Sequence, residues 1–395
     1  MDTAELLEVL SADGLRLLDG LPPWSSTADP VRRVSDLRAA GHSAPRVSAV
    51  LAQSRLRAKA GSKLGAFADR MLFTEAGLEQ ATRLRVAALH AGRFRDAGIG
   101  HVVDLGCGIG ADALAFAGLD LRVTAVEVDE VTAAIAAYNL AAWPTAEVVH
   151  ADALEVTIPD GSGVWLDPAR RTAGHANTSR LRDPAQWSPT LDWAFEVGMR
   201  HPTGVKLGPG VDRELIPTDA EAQWVSVDRE VVEVGVWFGA TARQGVRRAA
   251  MVLGEHGAAE LTAGADSADV EVRGLGRYLY EPDGAVIRAR LIGDLARTLD
   301  AGMLSAGIAY LTADDLIQTP FAQAFRVLES FAFDERVLKR ELAARRIGSL
   351  EIKKRGVDVD PAVLRRKLAL RGSESATLVV TRLDWRHRAL LVERV

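Results

Sequence analysis

The chain has 395 residues, 48% hydrophobic and 26% charged, with a net charge of −5. That length exceeds one ordinary core and argues for two or three domains. No apolar run reaches the about 18 residues of a membrane span, and the acidic start MDTAELLEVL lacks the pattern of a signal peptide. A single cysteine, Cys107, excludes an intramolecular disulfide and a cysteine-rich zinc site, so the expected setting is cytoplasmic.

Charge is unevenly spread. Residues 31–70 carry nine Arg or Lys against two Asp, and residues 338–371 carry eleven against four acids, leaving −19 for the remainder. Basic segments flanking an acidic middle suit contact with a polyanion, or else are solvated helix faces.

In chain order, residues 1 to about 97 read as helical: apolar residues recur at three- and four-residue spacing and β-branched runs are missing. LPPWSSTADP (21–30) breaks the pattern as a loop. Thr74 and Glu75 precede a further helix spanning AGLEQATRLRVAALHAGRF. From about 101 the texture changes to short Val-rich runs: HVVDLG, RVTAVEVD, AEVVHAD, SGVWLDP, TGVKLGP, QWVSV and VVEVGVWFGA. Helical stretches separate the first several, which implies a parallel sheet covered on both faces. The last two are too close for a parallel crossover and should pair antiparallel. HGAAELTAGADSADVEVRG, from residue 256, is small-residue and acidic, as a boundary would be. Beyond it, AVIRARL, SLEIKKRG, ATLVVTRL and RALLVERV are strand candidates of a second α/β region.

The stretch Asp104-Leu-Gly106-Cys-Gly108-Ile-Gly110 lies between a strand and a helix, where glycine lets backbone approach a ligand closely. Glu127 ends the second strand, where a carboxylate can accept hydrogen bonds from ribose hydroxyls. Asp152 follows the third, within reach of an adenine edge. Asp104, before the glycines, suits an amino-acid ammonium. Together they describe S-adenosylmethionine. A NAD loop would read G-x-G-x-x-G/A, and Asp112 makes that a poorer fit.

DLGCGIG, AVEVD, HAD and LDPAR, in this order, resemble the successive motifs of class I S-adenosylmethionine-dependent methyltransferases. The resemblance covers about residues 100–240 and implies a Rossmann-like seven-stranded sheet whose last strand is antiparallel. WLDPARR then falls after the fourth strand, at the substrate crevice. Related enzymes that methylate nucleobase nitrogens carry Asn/Asp-Pro-Pro-aromatic here, so the resemblance makes Asp167 and Pro168 the acceptor-orienting pair. Ala169 and Arg170 depart from that pattern and remove the stacking aromatic. Methylation at pyrimidine C5 would need a cysteine nucleophile, and Cys107 lies inside the cofactor loop. Nitrogen or oxygen is therefore the expected acceptor. Arg170 and Arg171 would suit a phosphate or carboxylate near the reacting atom, or an internal acid. Lys206 in GVKLGPGVD projects into the same crevice or belongs to a structural turn. Glu79 and Gln80 offer polar atoms to the cofactor pocket. The histidines show no metal spacing and no metal is expected; the tryptophans form no aromatic platform in sequence and read as packing.

YLYEPDGAVIRA, YLTAD, LEIKKRGVDVDPAVLRRKLALRG and ATLVVTRL resemble the THUMP-like tail of a group of bacterial methyltransferases, in which LEQAT, DPARR and VKLGPGVD also recur. THUMP domains proper bind RNA, so the resemblance implies an RNA substrate, tRNA or rRNA. Lys353, Lys354 and Arg355, with Arg365, Arg366 and Lys367, could neutralise phosphates. The expected organisation is an N-terminal helical domain (1–97), a Rossmann-like catalytic domain (98–257) and a C-terminal α/β region (258–395) whose THUMP-like part occupies about 320–395. Two other readings stay open: a methyltransferase for a small anionic metabolite, and a silent RNA-binding protein that keeps the cofactor fold.

Overall fold

A computed structural model describes residues 1–24, 30–168, 183–255, 257–383 and 385–395. It forms two compact units, Met1–Leu207 with Val236–Ala242, and Gly208–Gly235 with Arg243–Val395.

The first unit opens with helices α1 (Thr3–Leu10), α2 (Ala12–Gly20), α3 (Pro30–Ala39) and α4 (Ala44–Leu64). Each boundary follows local chemistry. Asp2 and Glu5 form a capping box on α1, and Ser11 and Ser43 side chains accept the first free amides of α2 and α4. The long helix expected after Thr74 is two, α5 (Glu75–Gln80) and α6 (Leu84–Asp96). The break at 81–83 has a physical cause: Lys63 Nζ donates to the Leu78, Glu79 and Ala81 carbonyls at 2.8, 2.7 and 3.2 Å, supplying from α4 the partners that a continuing helix would have provided.

Next come β1 (His101–Leu105), α7 (Ala111–Gly118), β2 (Arg122–Glu127), α8 (Glu130–Leu140), β3 (Ala146–His150), β4 (Gly163–Leu166), α9 (Leu191–Gly198) and β5 (Thr203–Leu207). All neighbours are parallel in the order β3-β2-β1-β4-β5, with Asp104 in register with Ala125 and Trp165. The helical segment and this sheet share one core, running from Leu6 and Val50 through Phe73 and Phe94 to Val123 and Trp165. Buried amides stitch them together. Asn139 accepts from Leu72 N and donates to the Leu72 and Ile109 carbonyls, and Gln53 bonds both backbone groups of Phe73.

After β5 come β6 (Glu221–Val227), β7 (Glu230–Phe238), β8 (Arg248–Gly254) and β9 (Gly257–Ala263). The sheet order is β3-β2-β1-β4-β5-β7-β6-β8-β9. Asp228 and Arg229 between β6 and β7 both have positive φ, the geometry of a tight two-residue hairpin. The expected seven strands are present, and two more extend the edge. β9 falls inside the stretch read as a boundary. Its alanines carry little β signal, and its order comes from pairing with β8 over Arg248–Gly254.

The second sheet, in the order β11-β12-β10-β13-β16-β15-β14, lies wholly in the second unit. Its elements are β10 (Tyr278–Pro282), α10 (Gly284–Arg288), α11 (Ile292–Thr298), β11 (Gly302–Ser305), β12 (Ile308–Ala313), β13 (Ala322–Ala332), α12 (Glu335–Ala344), β14 (Ile347–Lys354), α13 (Pro361–Leu368), β15 (Glu374–Leu383) and β16 (Arg386–Arg394). AVIRARL, expected as a strand, starts with α10 instead: the Asp283 side chain accepts from Ala285 N and caps a helical turn. α12 and α13 bury Leu338, Leu342, Leu364 and Leu368 against Leu350, Leu378 and Leu391. Among the described residues no helix is long and apolar enough to cross a membrane.

Candidate active site

A cavity of about 670 Å³ opens at the C-terminal ends of β1, β2 and β4 and is lined entirely by residues of the first unit. Its floor is the loop from β1 into α7. Gly106, Gly108 and Gly110 have φ of +86°, +56° and +82°, a region that a side chain rarely adopts. Gly106 and Cys107 amides donate to the Val126 carbonyl, which folds the loop over β2. Glu127 accepts from Gly108 N at 3.0 Å and from Asp129 N at 2.9 Å. The carboxylate expected on a ribose therefore also braces the glycine loop. Asp152 is exposed at the far end and accepts from Leu154 N. Val128 and Leu154, both largely exposed, give that end two apolar walls.

Asp104 is buried, and its Oδ2 has no hydrogen-bond partner among the described residues. Burial, with Asp112, Asp167 and Glu127 nearby, raises its carboxyl well above the ordinary range against the opposing effect of Lys206. A buried orphan oxygen lining a cavity is the complement of a cationic donor. Burial also pushes the Cys107 thiol well up, reinforced by Asp104 and Glu127, so Cys107 is held as a protonated thiol and not as a nucleophile.

Beneath this lies a connected polar network. Asp112, in the first turn of α7, accepts from Thr82 Oγ1 at 2.6 Å and lies 2.8 Å from His90 Nδ1. Burial alone would raise its carboxyl, but the His90 bond, Lys206 and Thr82 bring it down to about 2. Lys206, at the end of β5, donates to Thr82 Oγ1 at 2.8 Å and reaches Asp167 Oδ2 at 2.5 Å. Asp167 follows β4 and is about one quarter exposed. The interrupted helix is what turns Thr82 into this network.

Asp104, Gly106, Gly108, Glu127, Asp152, Asp167 and Lys206 thus meet at one cavity. Gly110 caps α7 beside it and packs against Leu140. Pro168 is buried directly after Asp167. Arg170 and Arg171 lie outside the described residues. Of the two candidates on α5, Gln80 lines the cavity; Glu79 serves through its carbonyl to Lys63. Sequence reading missed Thr82, His90 and Asp112. The signal for Asp112 was present, a carboxylate in a helix, ADALAFAG, that is otherwise apolar or small throughout. Gln186 and Ser188 also line the cavity, without a motif to mark them.

In the second unit Lys353 pairs with Glu281 at 2.7 Å and Glu351 at 3.7 Å, and Arg355 stacks over Tyr310 at 5.4 Å. Lys354 is exposed. The basic N-terminal segment is largely engaged internally: Arg46 with Glu8 and Asp13, Arg55 with Glu75, Arg57 with Asp19, and Lys63 with carbonyls. Among the described residues no cluster of His, Cys, Asp or Glu is placed to hold a metal ion.

Two family models match, one described as THUMP domain-like over residues 322–394 and one as Domain of unknown function (DUF8688) over residues 2–60. Two uncharacterized S-adenosylmethionine-dependent methyltransferases of Mycobacterium tuberculosis, from strains CDC 1551 / Oshkosh and H37Rv, are each 36% identical over 338 residues, covering 83% of this chain and 90% of theirs. A crystal structure of a protein assigned as a methyltransferase from Porphyromonas gingivalis W83 aligns over 100% of this chain and 99% of its own, with TM-score 0.70 and 19% identity. That likeness concerns the fold.

Proposed function

Since the chain belongs to the S-adenosylmethionine-dependent methyltransferases, we propose that it transfers the methyl group to a nitrogen of structured RNA, tRNA or rRNA. When bound, the cofactor supplies a methyl on a sulfonium centre, electrophilic without further activation. The chain's residues then have positional work. Asp104 offers its orphan Oδ2 to the cofactor ammonium. Gly106, Gly108 and Gly110 let the backbone approach the sugar. Glu127, already bonded to Gly108 N, has lone pairs left for ribose hydroxyls. Asp152, between Val128 and Leu154, sits where a flat base has apolar walls and a polar edge.

The observation that carries the acceptor reading is Asp167 in the wall of the same cavity with Lys206 Nζ at 2.5 Å. A carboxylate that receives a lysine hydrogen bond is an acceptor, so its natural substrate partner is a group that donates, such as an amino or ring N–H. Orientation of that nitrogen toward the methyl supplies the rate gain, and no strong base is required. The RNA reading is supported by the THUMP domain-like match over 322–394 and by exposed Lys339, Lys354, Arg366 and Arg371 in and around α12, β14 and α13.

The test is transfer of labelled methyl from S-adenosylmethionine to size-fractionated RNA from cells lacking the protein. One RNA fraction should become labelled, and Asp167→Ala should lower that label by about 100-fold or more while cofactor binding persists. Label in no fraction, with cofactor binding intact, would reject RNA and return the small anionic metabolite as substrate.

A further inference from the structure

The tip of the hairpin joining β15 and β16 holds a feature that the methyltransferase site does not use. Leu383 pairs with Arg386, and Trp385 lies in the turn at that tip. Such turns need positive φ and favour glycine or asparagine for that reason. Trp385 has φ of +64°, in a region where a bulky side chain is a genuine outlier. Its ring is also 80% exposed, whereas Trp165, Trp187, Trp224 and Trp237 are all buried. Apart from one contact with Arg382, folding gains little from the residue type or its placement, and a local rule broken for so small a gain points to function.

The surroundings define the chemistry. The Arg382 guanidinium lies 5.2 Å from the Trp385 ring centroid and donates from Nη2 to the Ala306 carbonyl at 3.3 Å. Arg386, across the turn, is exposed. His387, exposed, stands opposite Arg382 in the ladder. A ring with one arginine stacked on it and a second beside it offers a π-face for a base and charge for the adjoining phosphates. Trp and Arg also anchor protein-binding hot spots, and the binding test below separates the two.

We propose that Trp385, with Arg382 and Arg386, is a stacking site for an unpaired RNA nucleobase. This rests on the RNA reading above and adds to it the part of the RNA, a single-stranded base, that the second unit takes.

The experiment measures binding of the full chain to fluorescein-labelled oligouridylate by anisotropy, alongside methyl transfer to total RNA, for wild type, Trp385→Gly and Trp385→Phe. Loss of one stacked base should weaken oligouridylate binding by about 5- to 150-fold in Trp385→Gly. Trp385→Phe should retain most of it. Trp385→Gly should melt no lower than wild type, since glycine suits the turn, and its cofactor affinity should be unchanged. If wild type methylates RNA but binds oligouridylate no better than Trp385→Gly does, the stacking site is overturned while the RNA reading stands, and Trp385 is left to a protein contact. If wild type neither binds nor methylates any RNA, both fall.

Discussion

Asp104 and Asp112 line the same cavity, yet their carboxyl groups are pushed in opposite directions. Both are buried; Asp112 has Thr82, His90 and Lys206 around it, whereas one oxygen of Asp104 has no partner. For Asp112 the folded value of about 2 lies below the unfolded one, so its contribution to stability is complete above the ordinary carboxylate pKa and fades only as pH falls toward 2. For Asp104 the folded value lies above the unfolded one, so ionisation costs stability in the cofactor-free fold, and lowering the pH relieves that cost. An ammonium arriving at Asp104 favours the ionised form. Cofactor binding should therefore release a proton wherever the pH lies below the raised value, and affinity should drop on acidification well before the Asp112 network is lost. Calorimetry in two buffers of different ionisation enthalpy reads this directly. Wild type should show buffer-dependent heat and Asp104→Asn should not; equal heats for wild type would refute the assignment. Asp104 was legible in the sequence because a carboxylate before a glycine loop is a recurrent pattern. Its orphan oxygen was not, because satisfaction depends on neighbours from α7, β4 and β5.

At the scale of elements, the short helix α5 decides how the helical segment meets the glycine loop. A Cβ on Gly77 would lie 2.5 Å from Ile109 Cγ2 and 2.8 Å from Thr74 Oγ1, so contact at this depth requires glycine. Gly77→Ala should force α5 away from the loop at a cost of about 1–3 kcal/mol. The expected outcome is a lower urea midpoint together with weaker cofactor binding; an unchanged cofactor affinity would show that α5 does not shape the cavity. The existence of a helix after Thr74 was readable from its capping residue and apolar spacing. Its interruption at 81–83 was not, since Lys63 on α4 accounts for it from 15 or more residues upstream. The same limit explains two misread stretches. AVIRARL looks β-prone until Asp283 caps it as a helix, and the alanines of β9 gain their order only from β8.

At the scale of the whole molecule, the two basic segments seen in the sequence each divide into cations held by partners and cations left exposed. In the N-terminal one Arg46, Arg57 and Lys63 are held, partly or fully buried, by partners within their own unit, while Lys59 and Arg70 are exposed. Within 338–371, Arg340, Arg345, Lys353 and Lys367 are paired with glutamates. Lys339, Lys354, Arg366 and Arg371 are exposed. If those four each meet one phosphate of single-stranded RNA, the slope of log affinity against log salt should be about −3. Titration of RNA binding between low and physiological salt measures it, with cofactor binding as a nearly flat control. A slope near zero would remove the electrostatic part of the RNA reading.

By itself the sequence determined the alternation of strands and helices between 101 and 238, the glycine loop and the carboxylates at strand ends, because these depend on short-range periodicity and on motifs whose chemistry is local. The resemblance of its motifs also placed the THUMP-like segment at about 320–395, and the family match covers 322–394. Tertiary structure alone decided which charged groups are spent and which remain. Lys206 of β5 joins Thr82 at a helix break, Asp112 in the first turn of α7 and Asp167 after β4, and Lys353 is drawn to Glu281, 72 residues away. Burial and pairing are properties of distance in space, and charge counted along a chain carries no record of them.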